Sequence, residues 1–233
     1  MHEASLHDAN CSLTLTYSDE FLPVNGSLVP YDTQCFIKRV RKHFGPSRLS
    51  FFLCGEYGGA FGRAHYHVLL FGVWFGDSQE FKKSQSGAQL YRSVALDKLW
   101  GLGHADIGTL TFESAAYAAR YVVEKINGDA AVEHYRGRVP EFVRMSLRPA
   151  IGRRWFERFR DDVYPSDTVV VRGHESRPPL YYDKLLGRSE GSLLEEAKAK
   201  RASEALKSLP NRSIRRLAVR EEVARARLGL YKK

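Results

Sequence analysis

Two strand-like segments joined by a glycine-rich loop constrain the fold of this chain more than any other feature. The segments Leu49–Glu56 and His65–Val73 are rich in aliphatic and aromatic residues, and three glycines lie between them. Apolar runs of this length, bounded by glycine, predict an antiparallel hairpin with a long connection over Tyr57 to Arg63. The rest of the chain alternates strand-like with helix-like runs, which predicts an α+β fold.

The other elements follow from periodicity. Apolar residues alternate over Ser12–Tyr17, as in a half-buried strand, and recur at helical spacing over Tyr31–Phe44. The remaining predicted elements are helices over Leu90–Trp100, Ser114–Ile126 and Arg153–Asp162, and strands over Ala105–Thr111, Phe142–Leu147 and Thr168–Val171.

Positive charge is concentrated at one end of the chain. The chain has 233 residues and a net charge of +9, and residues 188–233 hold 13 Lys+Arg against 6 Asp+Glu, which is +7 of that total. We therefore predict a body over 1–187 and a basic helical appendage over 188–233, with helices over Leu193–Leu206 and Ser213–Leu228 broken at Pro210. The appendage is either a phosphate-contacting arm or a solvated helical pair.

Several classes of protein are excluded by what the sequence lacks. The longest apolar stretch, Val68 to Phe75, is far shorter than the ~20 residues of a membrane-spanning helix, so no membrane contact is predicted. The first residues have neither a basic nor an apolar signal region, which indicates a cytosolic protein. The cysteines are odd in number, which predicts reduced, mostly buried thiols at Cys11, Cys35 and Cys54. No phosphate-binding loop motif occurs, so no nucleotide cofactor or helicase motor is expected.

The densest chemical signal is the pair His65 and His67. Residues two apart in a strand project to the same face, so these imidazoles converge. If the two strands of the predicted hairpin pair, Glu56 lies close to both histidines and completes a three-ligand metal site. The alternative is a pair of strand histidines hydrogen-bonded to their neighbours.

Two phenols and an ammonium group form a second pattern. Tyr117, Tyr121 and Lys125 are four residues apart, which places them on one stripe of the predicted helix. A phenol has a pKa of about 10, so it attacks well only when a cation stabilises the phenolate or a metal activates the phosphate. Tyrosines at this spacing also serve as core residues.

These segments, taken in order, resemble the three motifs of HUH endonucleases. The motifs are Thr14–Tyr17, Cys54–Gly58 with the histidine segment Gly62–Gly72, and Tyr117–Lys125. More narrowly, they are similar to the rolling-circle replication initiators of small single-stranded DNA phages, the microviruses of the gokushovirus type. The resemblance covers residues 12 to 127 and implies a central antiparallel β-sheet with an RRM-like or ferredoxin-like core, flanked by helices.

The resemblance also implies roles for individual residues. His65, His67 and Glu56 are expected to hold Mg²⁺ or Mn²⁺. Tyr121 matches the principal nucleophile, and Tyr117 matches the second tyrosine of two-tyrosine initiators.

Two features depart from the family pattern. The family often has a lysine three residues after the nucleophile; here Glu124 stands at that place and Lys125 follows it. The first motif also begins close to Met1, whereas relatives often have a longer leader, which favours a truncated or alternative start.

The implied activity is nicking of one DNA strand at the viral origin. The tyrosine forms a 5′-phosphotyrosine and frees a 3′-hydroxyl that primes rolling-circle replication, after which the displaced strand is rejoined. The expected partners are single-stranded origin DNA and a host helicase and polymerase, in the cytoplasm of the bacterial host. The residues predicted to contact DNA are Arg39, Arg41, Lys42, Arg63 and Arg120.

Three alternatives remain open at the level of sequence. One is another HUH nuclease: a plasmid initiator, a relaxase or a transposase. A cupin also uses two histidines in this spacing, but its glutamate would follow them, where Gly72 to Phe75 stand. The third is a non-catalytic module that binds single-stranded nucleic acid through stacked aromatic residues.

Overall fold

The computed structural model describes most of the chain. The described residues are 1–45, 49–58, 62–84, 86–164, 166–207 and 209–230, and the side chains of 121–124 and 230 lie outside the description. Residues 59–61 of the predicted hairpin loop also lie outside it. The chain divides into two compact units, Met1–Glu157 and Arg158–Lys233. The predicted division at residue 188 stays a prediction.

The first unit is built on a seven-stranded sheet in which every described pair is antiparallel. The spatial order is β4-β5-β6-β1-β3-β2-β7. The strands are β1 (Asn10–Tyr17), β2 (Ser50–Tyr57), β3 (Ala64–Phe71), β4 (Gln79–Lys83), β5 (Gln89–Arg92), β6 (Gly103–Thr109) and β7 (Phe142–Met145). The predicted α+β class is confirmed, with an architecture consistent with an HUH-type core.

Helices cover both faces of this sheet and make up most of the second unit. The helices are α1 (Pro30–Phe44), α2 (Val94–Trp100), α3 (Phe112–Glu124), α4 (Ala130–Tyr135), α5 (Arg153–Val163), α6 (Leu180–Ser189), α7 (Gly191–Lys207) and α8 (Ile214–Leu230). A short hairpin, β8 (Val169–Val171) and β9 (His174–Ser176), belongs to the second unit. No described helix is long and apolar enough to cross a membrane.

Strand alternation assigns the two faces of the sheet. Tyr66, Val68 and Leu70 of β3 point to the face covered by α1 and α2, where the larger core lies. Leu69 and Phe71 point to the opposite face, and they pack with residues of β2 and α3 in a smaller cluster. His65 and His67 share the face of Leu69 because they keep its parity.

The helix predicted over Leu90–Trp100 is wrong in its first third. Gln89–Arg92 is a strand that pairs with β6, and the helix begins only at Val94. The reason is local: the Ser93 hydroxyl accepts a hydrogen bond of 3.0 Å from the Leu96 backbone N–H, so Ser93 is the N-cap.

The two helices predicted in the basic appendage are confirmed. They are α7 and α8, separated by a single 3₁₀ turn over Leu209–Arg212 that contains Pro210. Proline lacks a backbone N–H and cannot continue the ladder of the preceding helix, which explains the break.

Candidate metal centre and tyrosine helix

The hairpin of β2 and β3 brings Glu56 beside the two histidines. In the observed register Glu56 is opposite His65, and Cys54 is opposite His67. Directly opposed residues of an antiparallel pair share a face, so the carboxylate and both imidazoles lie together. Glu56 is only 2% exposed. The default expectation for a glutamate at a strand end, an exposed side chain, does not hold here.

Gly55 is required by crowding behind this site. A Cβ atom on Gly55 would lie 3.0 Å from the ring of Phe142 and 3.1 Å from both Leu28 and the ring of Tyr66. Any larger residue would push β2 away from this packing, and with it the neighbouring Glu56.

The three side chains converge on one point. His67 Nε2 lies 2.8 Å from Glu56 Oε1, and His65 Nε2 is hydrogen-bonded to the same oxygen. One ligand atom from each residue can be chosen so that all lie within 4.8 Å of one another. The imidazole rings are 5.1 Å apart at an interplanar angle of 83°.

The donor set fits a divalent metal ion. The other carboxylate oxygen, Glu56 Oε2, is buried and has no hydrogen-bond partner among the residues described. A buried anionic oxygen without a partner is costly, and a cation bound between the carboxylate and the two imidazoles would satisfy it. Two nitrogen ligands and one carboxylate suit Mn²⁺ and, less well, Mg²⁺, which prefers oxygen ligands.

The electrostatics of the cluster reflect the same arrangement. Burial tends to raise the pKa of Glu56, but hydrogen bonds from both histidines and their charges outweigh it, so the pKa is lowered. For His65, burial is again opposed by Glu56 and by a hydrogen bond to the Arg63 carbonyl, and the net effect is a raised pKa. The carboxylate is therefore ionised near neutral pH.

Outer contacts orient both imidazoles. His65 Nδ1 donates to the Arg63 carbonyl at 3.0 Å, which leaves Nε2 directed at Glu56. His67 Nδ1 lies 3.4 Å from the Thr14 hydroxyl. Contacts of this kind fix the tautomer of a metal-binding histidine. Sequence reasoning did not single out Thr14 for this role, although the alternation of β1 already placed it opposite the apolar face.

Helix α3 presents Tyr117 to the histidines. The Tyr117 and His67 ring centroids are 5.1 Å apart with an edge-to-face geometry, and Tyr117 is 45% exposed. Ala118, the next residue, is buried in the smaller cluster and anchors the helix on the sheet. The face of α3 that carries Tyr117 therefore borders the metal-ligand cluster.

The other two residues of the predicted stripe lie further along α3. Tyr121 is one helical turn after Tyr117, and its side chain is outside the described part of the structure. Lys125 is the exposed C-cap residue of the helix, with extended backbone. Their roles stay predictions.

The predicted DNA-contacting residues fall in different places. Arg63 lies beside the cluster, where it pairs with Asp19 at 2.8 Å, and Arg120 is on α3. Arg39 donates to the carbonyls of Leu99 and Trp100 and so ties α1 to α2.

The remaining two candidates, Arg41 and Lys42, also belong to α1. Arg41 lies over the ring of Phe51, 5.5 Å from its centroid, and Lys42 is exposed. Because α1 covers the opposite face of the sheet, neither these two residues nor Arg39 is brought to the histidine cluster.

These features define a class: an α+β domain whose antiparallel sheet carries a His-x-His pair and a glutamate under a tyrosine-bearing helix. Residues 10–126 match the family model of the replication-associated protein ORF2. The chain belongs to this family, and the resemblance noted from its motifs is confirmed.

Curated relatives agree with this assignment. The chain is 33% identical over 220 residues to the replication-associated protein ORF2 of Spiroplasma virus 4, an alignment that covers 88% of this chain and 67% of the relative. It is 31% identical to replication-associated protein VP4 of Bdellovibrio phage phiMH2K, over 91% and 69%. For replication-associated protein ORF4 of Chlamydia phage 1 the identity is 29%, over 79% and 47%. No solved structure matches the chain.

Proposed function

We propose that this protein initiates rolling-circle replication of a single-stranded DNA phage by nicking one strand at the viral origin. The observation that carries the proposal is the contact between α3 and the metal-ligand cluster, with the Tyr117 ring 5.1 Å from His67. A phenol beside a cation site is the arrangement that tyrosine-dependent cleavage of a phosphodiester needs. Membership of a replication-associated family supports it.

The reaction is a transesterification. A tyrosine Oη attacks the scissile phosphorus, a P–Oη bond forms, and the P–O3′ bond breaks. The leaving O3′ takes up a proton and becomes the free 3′-hydroxyl, while the phenol loses its proton to solvent. Because the energy of the phosphodiester is kept in the 5′-phosphotyrosine, rejoining needs no nucleotide cofactor.

The residues divide these tasks. Tyr121 is the proposed first nucleophile, Tyr117 is the second, and Lys125 is the proposed cation that stabilises the phenolate. Glu56, His65 and His67 would hold Mn²⁺ or Mg²⁺, which when bound supplies Lewis-acid polarisation of the phosphate. Arg63, beside the cluster, would contact the DNA backbone.

The partners follow from the chemistry. The substrate is origin DNA held locally single-stranded, and extension from the 3′-hydroxyl requires a polymerase and a helicase of the host. The proposed place of action is the host cytoplasm, where the phage DNA replicates.

A gel assay with labelled single-stranded oligonucleotides from the phage origin tests the proposal. With Mn²⁺ present, a 3′-labelled oligonucleotide should appear at protein mass on a denaturing gel. The matching 5′-labelled oligonucleotide should give only a shorter free fragment. EDTA and His67→Ala should abolish both bands. Label from the 5′ side at protein mass would reverse the proposed polarity.

Substitution of the tyrosines ranks the nucleophiles. Tyr121→Phe should remove the first adduct, whereas Tyr117→Phe should retain it and reduce rejoining. Tyr31→Phe is the matched control, because Tyr31 is an exposed tyrosine of α1 on the other side of the sheet. An adduct that survives in the Tyr117/Tyr121 double variant would sink the assignment to α3.

The alternative is a non-catalytic nucleic-acid module. In that case the oligonucleotide would bind the protein without any covalent adduct, and binding would not require the metal.

A further inference from the structure

Helix α8 is exposed on every side. All residues from 209 to 229 are exposed, including the apolar side chains of Ile214, Leu217 and Val223. An isolated helix of 17 residues is only marginally stable in water, because most helical stability in proteins comes from packing. Its length and exposure indicate a surface that meets a partner.

Four arginines run along one side of this segment. Arg212, Arg216 and Arg220 are four residues apart and border one shallow groove, and Arg216 and Arg220 border a second groove with Arg227. We call Arg212, Arg216, Arg220 and Arg227 the arginine stripe.

The charge of the stripe is not neutralised within the chain. Residues 209–230 hold six arginines against two glutamates. Glu221 pairs with Arg225 at 2.7 Å, on the same helix. Among the described residues, no carboxylate lies within ion-pair distance of a stripe arginine. The positive charge therefore faces solvent.

We propose that the arginine stripe binds the phosphate backbone of duplex DNA. Arginines four residues apart on a helix are separated by about 6 Å along its axis, close to the rise of two nucleotides in one strand of B-DNA, about 3.4 Å each. The guanidinium group binds phosphate in a bidentate geometry and stays charged at every relevant pH.

The chemistry of the segment selects duplex over single-stranded DNA. Proteins that bind single strands stack bases on aromatic side chains, and residues 209–230 contain none. The side chains between the arginines, such as Val219 and Val223, are short and allow a helix to approach a backbone closely. The inference does not depend on cleavage by α3, since it concerns a separate surface.

Fluorescence anisotropy with the full chain tests this inference. The probe is a labelled 30-base-pair duplex of arbitrary sequence, titrated in EDTA so that no cleavage occurs, over a series of NaCl concentrations. The test variant is Arg212→Gln/Arg216→Gln/Arg220→Gln. The charge-matched control is Lys198→Gln/Lys207→Gln/Arg225→Gln, whose three cations pair with Glu195, Glu204 and Glu221.

The salt dependence carries the decisive readout. Loss of three phosphate contacts should lower the slope of log K against log[NaCl] by about 2.7, since each contact contributes about 0.9. The control should change the slope much less. Glutamine is a good helix former, and a far-UV CD spectrum equal to that of the parent chain would show that α8 is retained.

Three results would overturn the proposal. One is an equal change of slope in both triple variants, which would indicate bulk charge rather than contacts of the stripe. Another is stripe-dependent binding of a 30-nucleotide oligo-dT with no effect on the duplex. The third is binding of polyglutamate but of neither DNA, which would indicate an acidic protein partner.

Discussion

At the scale of single residues, Glu56 has the largest effect because it is the buried anion of the cluster. Glu56→Gln should weaken Mn²⁺ binding by more than about 100-fold, since even outer partners of metal ligands typically contribute 10- to 100-fold. A Mn²⁺ titration followed by EPR or calorimetry measures the affinity.

A graded series gives this prediction its control. Thr14→Val keeps the side-chain shape and removes the hydroxyl near His67 Nδ1, so affinity should fall about 10-fold. Ser12→Ala, on the same strand and sheet face but opposite Leu69, should leave the affinity unchanged. Equal Mn²⁺ affinity in Glu56→Gln and the parent chain would show that Glu56 is not a ligand.

At the scale of elements, the N-terminus of α3 determines how firmly the tyrosine helix is held. The Thr111 side chain accepts a hydrogen bond from the Ser114 backbone N–H at 3.2 Å, and the Ser114 hydroxyl accepts one from the Thr111 N–H at 2.8 Å. This is a capping box. Thr111→Ala should lower the free energy of unfolding by about 1 kcal/mol, measured by urea denaturation.

A second variant separates the cap from the threonine side chain as such. Thr111→Ser retains the accepting oxygen, so most of the lost stability should return. If Thr111→Ser and Thr111→Ala are equally destabilised, the cap is not the cause.

At the scale of the whole molecule, the second unit depends on one partly buried charge cluster. Arg201 binds Asp183 at 2.6 Å and Asp167 at 2.7 Å, and the Tyr164 hydroxyl donates to Asp183 at 2.8 Å. Hydrogen bonding from Arg201, against the effect of burial, lowers the pKa of Asp183 below its usual 3.8. Arg201→Met should cost about 3 kcal/mol at neutral pH, because two largely buried carboxylates lose their partner.

The sign of the pH dependence follows from that lowered pKa. A carboxyl group whose pKa is depressed by folding stabilises the fold above its unfolded pKa, and this contribution disappears as the pH falls through the folded pKa. The difference in Tm between the parent chain and Arg201→Met should therefore be largest at pH 5 to 7 and shrink below pH 3.8. Arg225→Met, which breaks only an exposed pair with Glu221, should change Tm little at any pH. A difference that grows in acid would contradict this assignment.

Local pattern was sufficient wherever one face of an element is buried. The alternation of β1 and the helical spacing of α1 are imposed by the same core, so both elements were predicted within a few residues. Strand β4 was missed because all five of its residues are exposed, which leaves no apolar alternation to detect.

The sequence by itself determined the hairpin of β2 and β3 and the common face of His65 and His67, because strand periodicity is local and allows no other arrangement. Only the tertiary structure decided that α3 covers that face, that Tyr117 meets His67, and that Glu56 is buried with an unpartnered oxygen. Those facts depend on contacts between residues far apart in the chain, which packing of the whole sheet selects and no local pattern encodes.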